Sequence, residues 1–166
     1  LLGGLTLNPI EELRYLILAA QREGSRTFTE LLKPLGLTTS QSEVLRVLYD
    51  HEPLSLIEVG QLLVCETGSP SRLVSRMVEA GLIEQKQSPV DSRKVQLSLT
   101  EKGRDSAIKI RDIENRFYGT LTPILEGQPV KELMELLWIQ VKGKPTGNAL
   151  ALRKAKQGAK QQCMRP

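Results

Sequence analysis

Histidine and tryptophan each occur once in the 166 residues, and cysteine and phenylalanine twice each. His51 stands in no obvious Ser, Cys or metal-ligand constellation, so a histidine-dependent enzyme has almost nothing to build with. Cys65 and Cys163 are far apart and form no C-x-x-C pair, which argues against a zinc site and a disulfide framework. No motif points to carboxylate-only catalysis. The expectation is a non-enzyme with no catalytic residues, no metal and no cofactor. The best apolar run, Leu16 to Ala20, is far short of the ~20 residues a membrane span needs, and Arg14 and Arg22 flank it. No export signal is visible, so the expected compartment is the cytoplasm, with no membrane partner. At 40% hydrophobic and 25% charged the composition is that of a folded globular protein.

The charge is unevenly placed. Net charge is +4, but seven of the 23 basic residues lie from Lys142 onward, where no acidic residue occurs. Residues 1–141 therefore carry 16 basic against 19 acidic groups, a net of −3. A nucleic-acid reading cannot rest on bulk charge and needs individual Arg and Lys positions.

Periodicity supplies the elements. Ile10, Leu13, Ile17, Ala20, Gly24, Phe28 and Leu31 recur at spacings of three and four, predicting a helix over about 9–32 with Pro9 in its first turn. Leu16 and Leu18 widen its apolar face. A stripe that broad on a terminal helix fits burial against a second subunit, with a simple core as the alternative. Pro34-Leu35-Gly36 ends it. A Thr38–Gln41 capping box then leads into a short helix near 40–50 with Val44, Leu45 and Leu48, broken by His51-Glu52-Pro53. Ser55 and Glu58 form a second capping box, opening a helix that carries Leu56, Val59, Leu62 and Leu63. After a turn through Cys65, Glu66, Thr67 and Gly68, the next helix spans about 68–80. Leu73, Met77 and Ala80 are expected on its buried face and Arg72, Ser75, Arg76 and Glu79 on another. Gly81 stops it.

The period then changes to two. Val95, Leu97 and Leu99 alternate with polar residues as in a half-buried strand, with Leu82–Gln87 as the antiparallel partner and 88–94 as a polar loop between them. Thr100 can cap a helix over about 101–121 with Ala107, Ile110, Ile113, Phe117 and Leu121 apolar. A last helix, about 129–141, carries Val130, Leu133, Leu137, Trp138 and Val141. Residues 142–166 read as a basic, flexible tail, with a helix conceivable over 149–156.

The fold class is therefore mainly α with a small β-hairpin: a winged helix-turn-helix between N- and C-terminal helices. A helix about 10–12 Å wide fits the DNA major groove. Its N-terminus presents free N–H groups and a positive dipole to phosphates. Arg72 and Arg76 can reach guanine edges or phosphates, and Ser69, Ser71 and Ser75 allow close approach. The hairpin loop can place Arg93 or Lys94 in the neighbouring minor groove, where negative potential concentrates. Taken singly, Arg72 and Arg76 fit a solvated helix face at least as well, and the loop fits a plain surface turn better than a DNA contact. Their order in the sequence favours DNA.

The segment from Asp91 to Gly103 reads D-x-R-x-x-x-L-x-L-T-x-x-G and closely resembles the wing and following helix start of the MarR family of bacterial transcription regulators. Arg72 to Ile83 resembles that family's recognition helix, and Leu35-Gly36-Leu37-Thr38 with Val44-Leu45 the approach to its second helix. The likeness covers roughly 9–141. It implies segments at 1–36 (dimerisation), 37–100 (winged helix-turn-helix), 101–141 (dimerisation) and the 142–166 tail. It also implies a homodimer on a pseudo-palindromic double-stranded operator, with half-sites about 34–36 Å apart. In the family the Arg matching Arg93 enters the minor groove and the Asp matching Asp91 orients it, completing a candidate DNA-binding set of Ser69, Ser71, Arg72, Ser75, Arg76, Asp91, Arg93 and Lys94. Ser92 stands where the family often has a second Arg.

The resemblance implies a transcriptional regulator, expected to act as a repressor by covering a promoter and to be released by a small aromatic or phenolic effector. Tyr15 and Tyr49 are the candidate effector contacts, with a plain core role as their alternative. Some relatives sense oxidants through an N-terminal thiol, which this sequence lacks, and a redox role for Cys65 is weighed against a small buried side chain. The rival class is a winged helix that binds protein without sequence-specific DNA binding.

Overall fold

The computed structural model describes residues 8–65, 68–89, 91 and 93–163, with side chains described up to residue 158. Glu66 and Thr67 of the expected turn, and Val90 and Ser92 of the expected loop, lie outside the described residues. The protein divides into two compact units, residues 1–39 and 40–166.

In the first unit, α1 spans Pro9–Leu32, the range that the apolar spacing predicts. Its start is set locally: the Asn8 side chain accepts the Ile10 N–H at 2.9 Å, Pro9 occupies the first turn, and Glu11 and Glu12 suit the positive end of the helix dipole. A 3-10 turn, Lys33–Leu35, closes on Gly36, whose φ of 64° is the left-handed conformation glycine adopts without penalty. Ile10 (74% exposed), Leu13, Leu16 and Leu18 leave the apolar stripe of α1 uncovered within one protomer.

The second unit holds the winged core. Helix α2 (Thr39–His51) buries Val44, Leu45, Val47 and Leu48. Helix α3 (Leu56–Leu62) opens with the expected capping box: the Ser55 hydroxyl accepts the Glu58 N–H, and Glu58 accepts the Ser55 N–H at 2.8 Å. Two otherwise orphaned donors are satisfied reciprocally, so Ser55→Ala is expected to cost about 1 kcal/mol in a chemical denaturation curve.

Helix α4 (Pro70–Glu79) starts at Ser69, which accepts the Arg72 N–H. It buries Val74 and Met77. Here the structure corrects the expected face: Ala80 is exposed and Leu73 only half-buried. Ala80 is the residue that ends the helix. There Gly81, at φ 69°, bonds back to Val78 O and Leu82 bonds back to Met77 O, both at 2.9 Å.

Strands β1 (Ile83–Gln87) and β2 (Val95–Leu99) pair antiparallel in the register Ile83↔Leu99, Gln85↔Leu97 and Gln87↔Val95. Leu54 exchanges two backbone hydrogen bonds with Leu97, anchoring the wing to the stretch before α3. Ile83, Leu97 and Leu99 are buried, but Val95, expected to face inward with them, is 47% exposed. It still faces the helices, lining a cavity with Leu56 of α3 and Val74 of α4 that leaves it open to solvent.

Helix α5 (Glu101–Leu125) is capped by Thr100, whose hydroxyl accepts the Gly103 N–H at 3.0 Å. It runs four residues further than expected. Ala107, Ile110 and Ile113 are buried; Tyr118, Leu121, Ile124 and Leu125 are exposed. Helix α6 (Val130–Val141) buries no residue, and Ile139 is 75% exposed. In the segment read as a flexible tail with a helix conceivable over 149–156, that helix forms and is longer: α7 (Pro145–Cys163) lies against α3 and α6 with Ala149 buried. No helix among the described residues is long and apolar enough to cross a membrane.

Candidate nucleic-acid interface

The exposed face of α4 carries Arg72, Ser75 and Arg76. Among the described residues neither guanidinium is tied into an ion pair, so both forks are available to an outside acceptor. Ser69 and Ser71 sit at the helix start with their hydroxyls 3.0 Å apart. Lacking bulk, they leave the N-terminal turn open to an anion. The buried Val74 and Met77 hold the opposite face against the core, so the helix cannot roll without exposing them.

The wing tip is organised by one carboxylate. Asp91 Oδ1 accepts both the Arg93 N–H at 3.1 Å and the Arg93 Nε–H at 3.3 Å, while the Arg93 side chain stays 90% exposed. An exposed pair of this kind contributes roughly 0–1 kcal/mol, so its consequence is orientation rather than stability. The Ser88 N–H to Lys94 O and Lys94 N–H to Asp91 O bonds close the loop beneath it. Lys94 is exposed.

Behind α4 lies a cavity of about 180 Å³ lined by Leu56, Ser71, Val74, Ser75, Gln85, Val95 and Leu97. It is smaller than the ~300 Å³ at which drug-sized ligand sites begin. Neither candidate tyrosine lines it. Tyr49 lies on α2 and reaches α5, its ring 5.5 Å from the Arg46 guanidinium and 5.7 Å from that of Arg111 of α5, which also donates to its hydroxyl at 3.4 Å. Arg46 pairs with Glu114 at 3.0 Å and reaches Asp50 at 3.6 Å, while its Nη1 is buried with no hydrogen-bond partner among the described residues. Burial outweighs Arg46 at Glu114, whose carboxyl is held above its usual range. Tyr15 belongs to the first unit, partly exposed, with the Arg14 guanidinium 4.2 Å from its ring centre.

Residues that no sequence motif singles out hold the backbone just past the end of α3. Glu43 of α2 accepts the Val64 and Cys65 backbone N–H groups, both at 2.9 Å. Arg153 of α7 pairs with the same carboxylate and donates to the Leu62 carbonyl at 2.6 Å. Burial disfavours the Glu43 charge, but the Cys65 thiol, the two N–H groups and Arg153 together keep its carboxyl below its usual range. The Cys65 thiol is pushed up to about 11, by burial first and by Glu43 next. At neutral pH it is a protonated donor rather than a thiolate nucleophile, which weighs against the redox role. No group of three or more metal-ligating side chains occurs among the described residues.

The comparisons with known proteins agree with this geometry. A family model described as "Winged helix DNA-binding domain" matches residues 37–103. The organic hydroperoxide resistance transcriptional regulator of Bacillus subtilis is 32% identical over 127 residues, 76% of this protein and 85% of that one. Among solved structures, a mutant MarR from E. coli complexed with operator DNA superposes with a TM-score of 0.68 at 27% identity, covering 81% of this protein and 96% of that one. The organohalide-sensing RdhR regulator in its 2,4-dichlorophenol-bound form gives 0.73 at 25% identity, covering 87% and 89%. These relatives are regulators, not enzymes.

Proposed function

The protein belongs to the MarR family of DNA-binding transcriptional regulators, and from that premise we propose that it is a homodimeric, sequence-specific repressor released from its operator by a small aromatic or phenolic effector. The observation that carries the reading is the pairing of unengaged guanidinium groups on the outer face of α4 with an Asp91-oriented Arg93 at the wing tip. Ser69, Ser71, Arg72, Ser75 and Arg76 meet the major groove and adjoining phosphates. Arg93 and Lys94 probe the minor groove, with Asp91 setting the Arg93 rotamer. The uncovered apolar faces of α1, the end of α5 and α6 supply the dimer contact, since exposed apolar patches of this extent mark association surfaces. The protein works in the cytoplasm, where its DNA is.

Effector release needs only modest energy: a coupling of ~1–3 kcal/mol changes DNA affinity 5- to 150-fold. Tyr49 is the favoured contact, because its ring lies beside a buried Arg46 N–H without an acceptor, which a phenol oxygen would satisfy. Tyr15 is a separate contact proposed on α1. The dichlorophenol bound by RdhR supports this ligand class.

The test is a selection of bound genomic fragments, followed by a mobility-shift titration at two salt concentrations with and without 2,4-dichlorophenol. The expected result is sequence-selective binding by a dimer at micromolar concentration. Affinity should fall steeply with salt, each neutralised phosphate adding ~0.9 to the log–log slope. A protein that sediments as a monomer, or shows no preference between recovered and scrambled duplexes, overturns the reading in favour of a protein-binding winged helix.

A further inference from the structure

We propose that helix α7 is a brace for the helix-turn-helix, and that Arg153 is a positioning residue that sets the approach to α4 and thereby operator recognition. The inference rests on the DNA-binding role of the family and goes beyond it: it assigns a task to the residues that follow Lys142, which by sequence are a basic tail.

The α3–α4 turn has an electrostatic requirement. Helix α3 ends at Leu62, and Leu63 is already extended, with ψ 137°. The carbonyls of the last turn of a helix and the N–H groups just beyond it lack helical partners. Glu43 takes two of those N–H groups, from Val64 and Cys65. Its side chain is only 16% exposed, so the charge that makes it a good acceptor is itself disfavoured by burial. Arg153, 25% exposed, resolves both problems with one guanidinium. It neutralises Glu43, and its Nε–H satisfies the Leu62 carbonyl, where a cation also complements the negative end of the α3 dipole.

The rest of α7 holds the guanidinium in place. Ala149, one turn before Arg153, is buried, and its small side chain lets the helix lie close. At Gly147 a Cβ would come 2.0 Å from the Val141 carbonyl oxygen, so the bend from α6 into α7 requires glycine. Lys156, one turn further on, places positive charge near Glu58 of α3, as it should if the two helices run side by side. Without Arg153, a half-buried carboxylate loses its countercharge and the Val64–Cys65 turn loses rigidity. Those two residues begin the connection to α4, so the aim of Arg72 and Arg76 loosens with them.

The experiment compares Arg153→Ala, Arg153→Lys and Lys154→Ala in the full-length protein. Two quantities are measured: amide hydrogen exchange at Val64 and Cys65 without DNA, and affinity for the best selected duplex against a scrambled duplex of equal length. For Arg153→Ala, exchange at both amides should rise about tenfold, because a hydrogen-bonded charge partner is lost. The selected-to-scrambled ratio should fall about fivefold or more. Arg153→Lys keeps the charge without the fork and should fall between. Lys154→Ala removes equal charge from the same helix and should alter neither the exchange nor the ratio. Unchanged exchange in Arg153→Ala overturns the brace, as does a ratio that stays at the wild-type value. If Arg153→Ala does not fold, the exchange rates of Arg153→Lys decide: wild-type values reject the proposal and faster ones uphold it. If the wild-type protein shows no duplex preference, the specificity reading fails, while the exchange measurement still judges the brace.

Discussion

Replacing Arg93 with alanine is expected to weaken operator binding by roughly 10- to 100-fold, the scale of one well-placed arginine contact at ~1–3 kcal/mol, and to leave dimerisation unchanged. The side chain is 90% exposed and touches no part of the core, so its removal leaves the fold intact. Asp91 takes the backbone N–H and Nε–H of Arg93 on one oxygen, so it engages neither terminal nitrogen and limits the rotamers lost on binding. The loop is held at its base by the Ser88–Lys94 backbone bond, and the wing by the Leu54–Leu97 pair. Fluorescence anisotropy on the selected operator measures the loss, and sedimentation checks the dimer. An affinity equal to wild type would mean that the wing tip does not touch DNA.

The second large effect concerns folding. Gly103→Ala is expected to destabilise the protein by about 3 kcal/mol or more, the upper range for overpacking a closed site. A Cβ at Gly103 would lie 2.0 Å from the Leu82 carbonyl oxygen and 3.0 Å from its carbonyl carbon. Backbone cannot swing aside as a side-chain tip can. The junction is held on several sides: Thr100 N–H donates to Leu82 O at 3.2 Å, the Thr100 hydroxyl to Gly81 O at 2.7 Å, and Lys102 Nζ to Ala80 O at 2.8 Å. These bonds fasten the start of α5 to the end of α4, so relieving the clash would move the proposed recognition helix. For a protein of this length a loss of that size lowers the melting temperature by roughly 6–12 °C or more. Thermal unfolding by circular dichroism reads it directly, and a melting point within a degree of wild type would show that the junction has room to relax.

That junction also explains the T-x-x-G ending of the wing motif. Thr100 caps α5 by accepting the Gly103 N–H and simultaneously bonds Gly81, while Gly103 gives up its side chain so that α5 can sit on Leu82. The spacing marked the family; the structure supplies its cause.

What the order of residues determined by itself is what depends on neighbours a few positions apart. The limits of α1 at Pro9 and Leu32, the Ser55–Glu58 cap, the stop at Gly81 and the two-residue alternation of β2 are each settled by local hydrogen bonds and side-chain period. What only the tertiary structure decided is which half of an apolar stripe finds a partner and which charges meet. Val74 and Met77 are buried while Ala80, where α4 ends and the backbone turns through Gly81, is exposed, and Val95 is exposed because a cavity separates it from Leu56 and Val74. The C-terminal residues read as a flexible basic tail because a run rich in Lys, Gln and Gly carries little apolar periodicity. They form a helix packed on α3 and α6, in which Arg153 meets the half-buried carboxylate of Glu43, 110 positions away. Local pattern has no access to an encounter at that separation. It exists only once packing has brought α2, the end of α3 and α7 to one place and removed the water that would otherwise screen their charges.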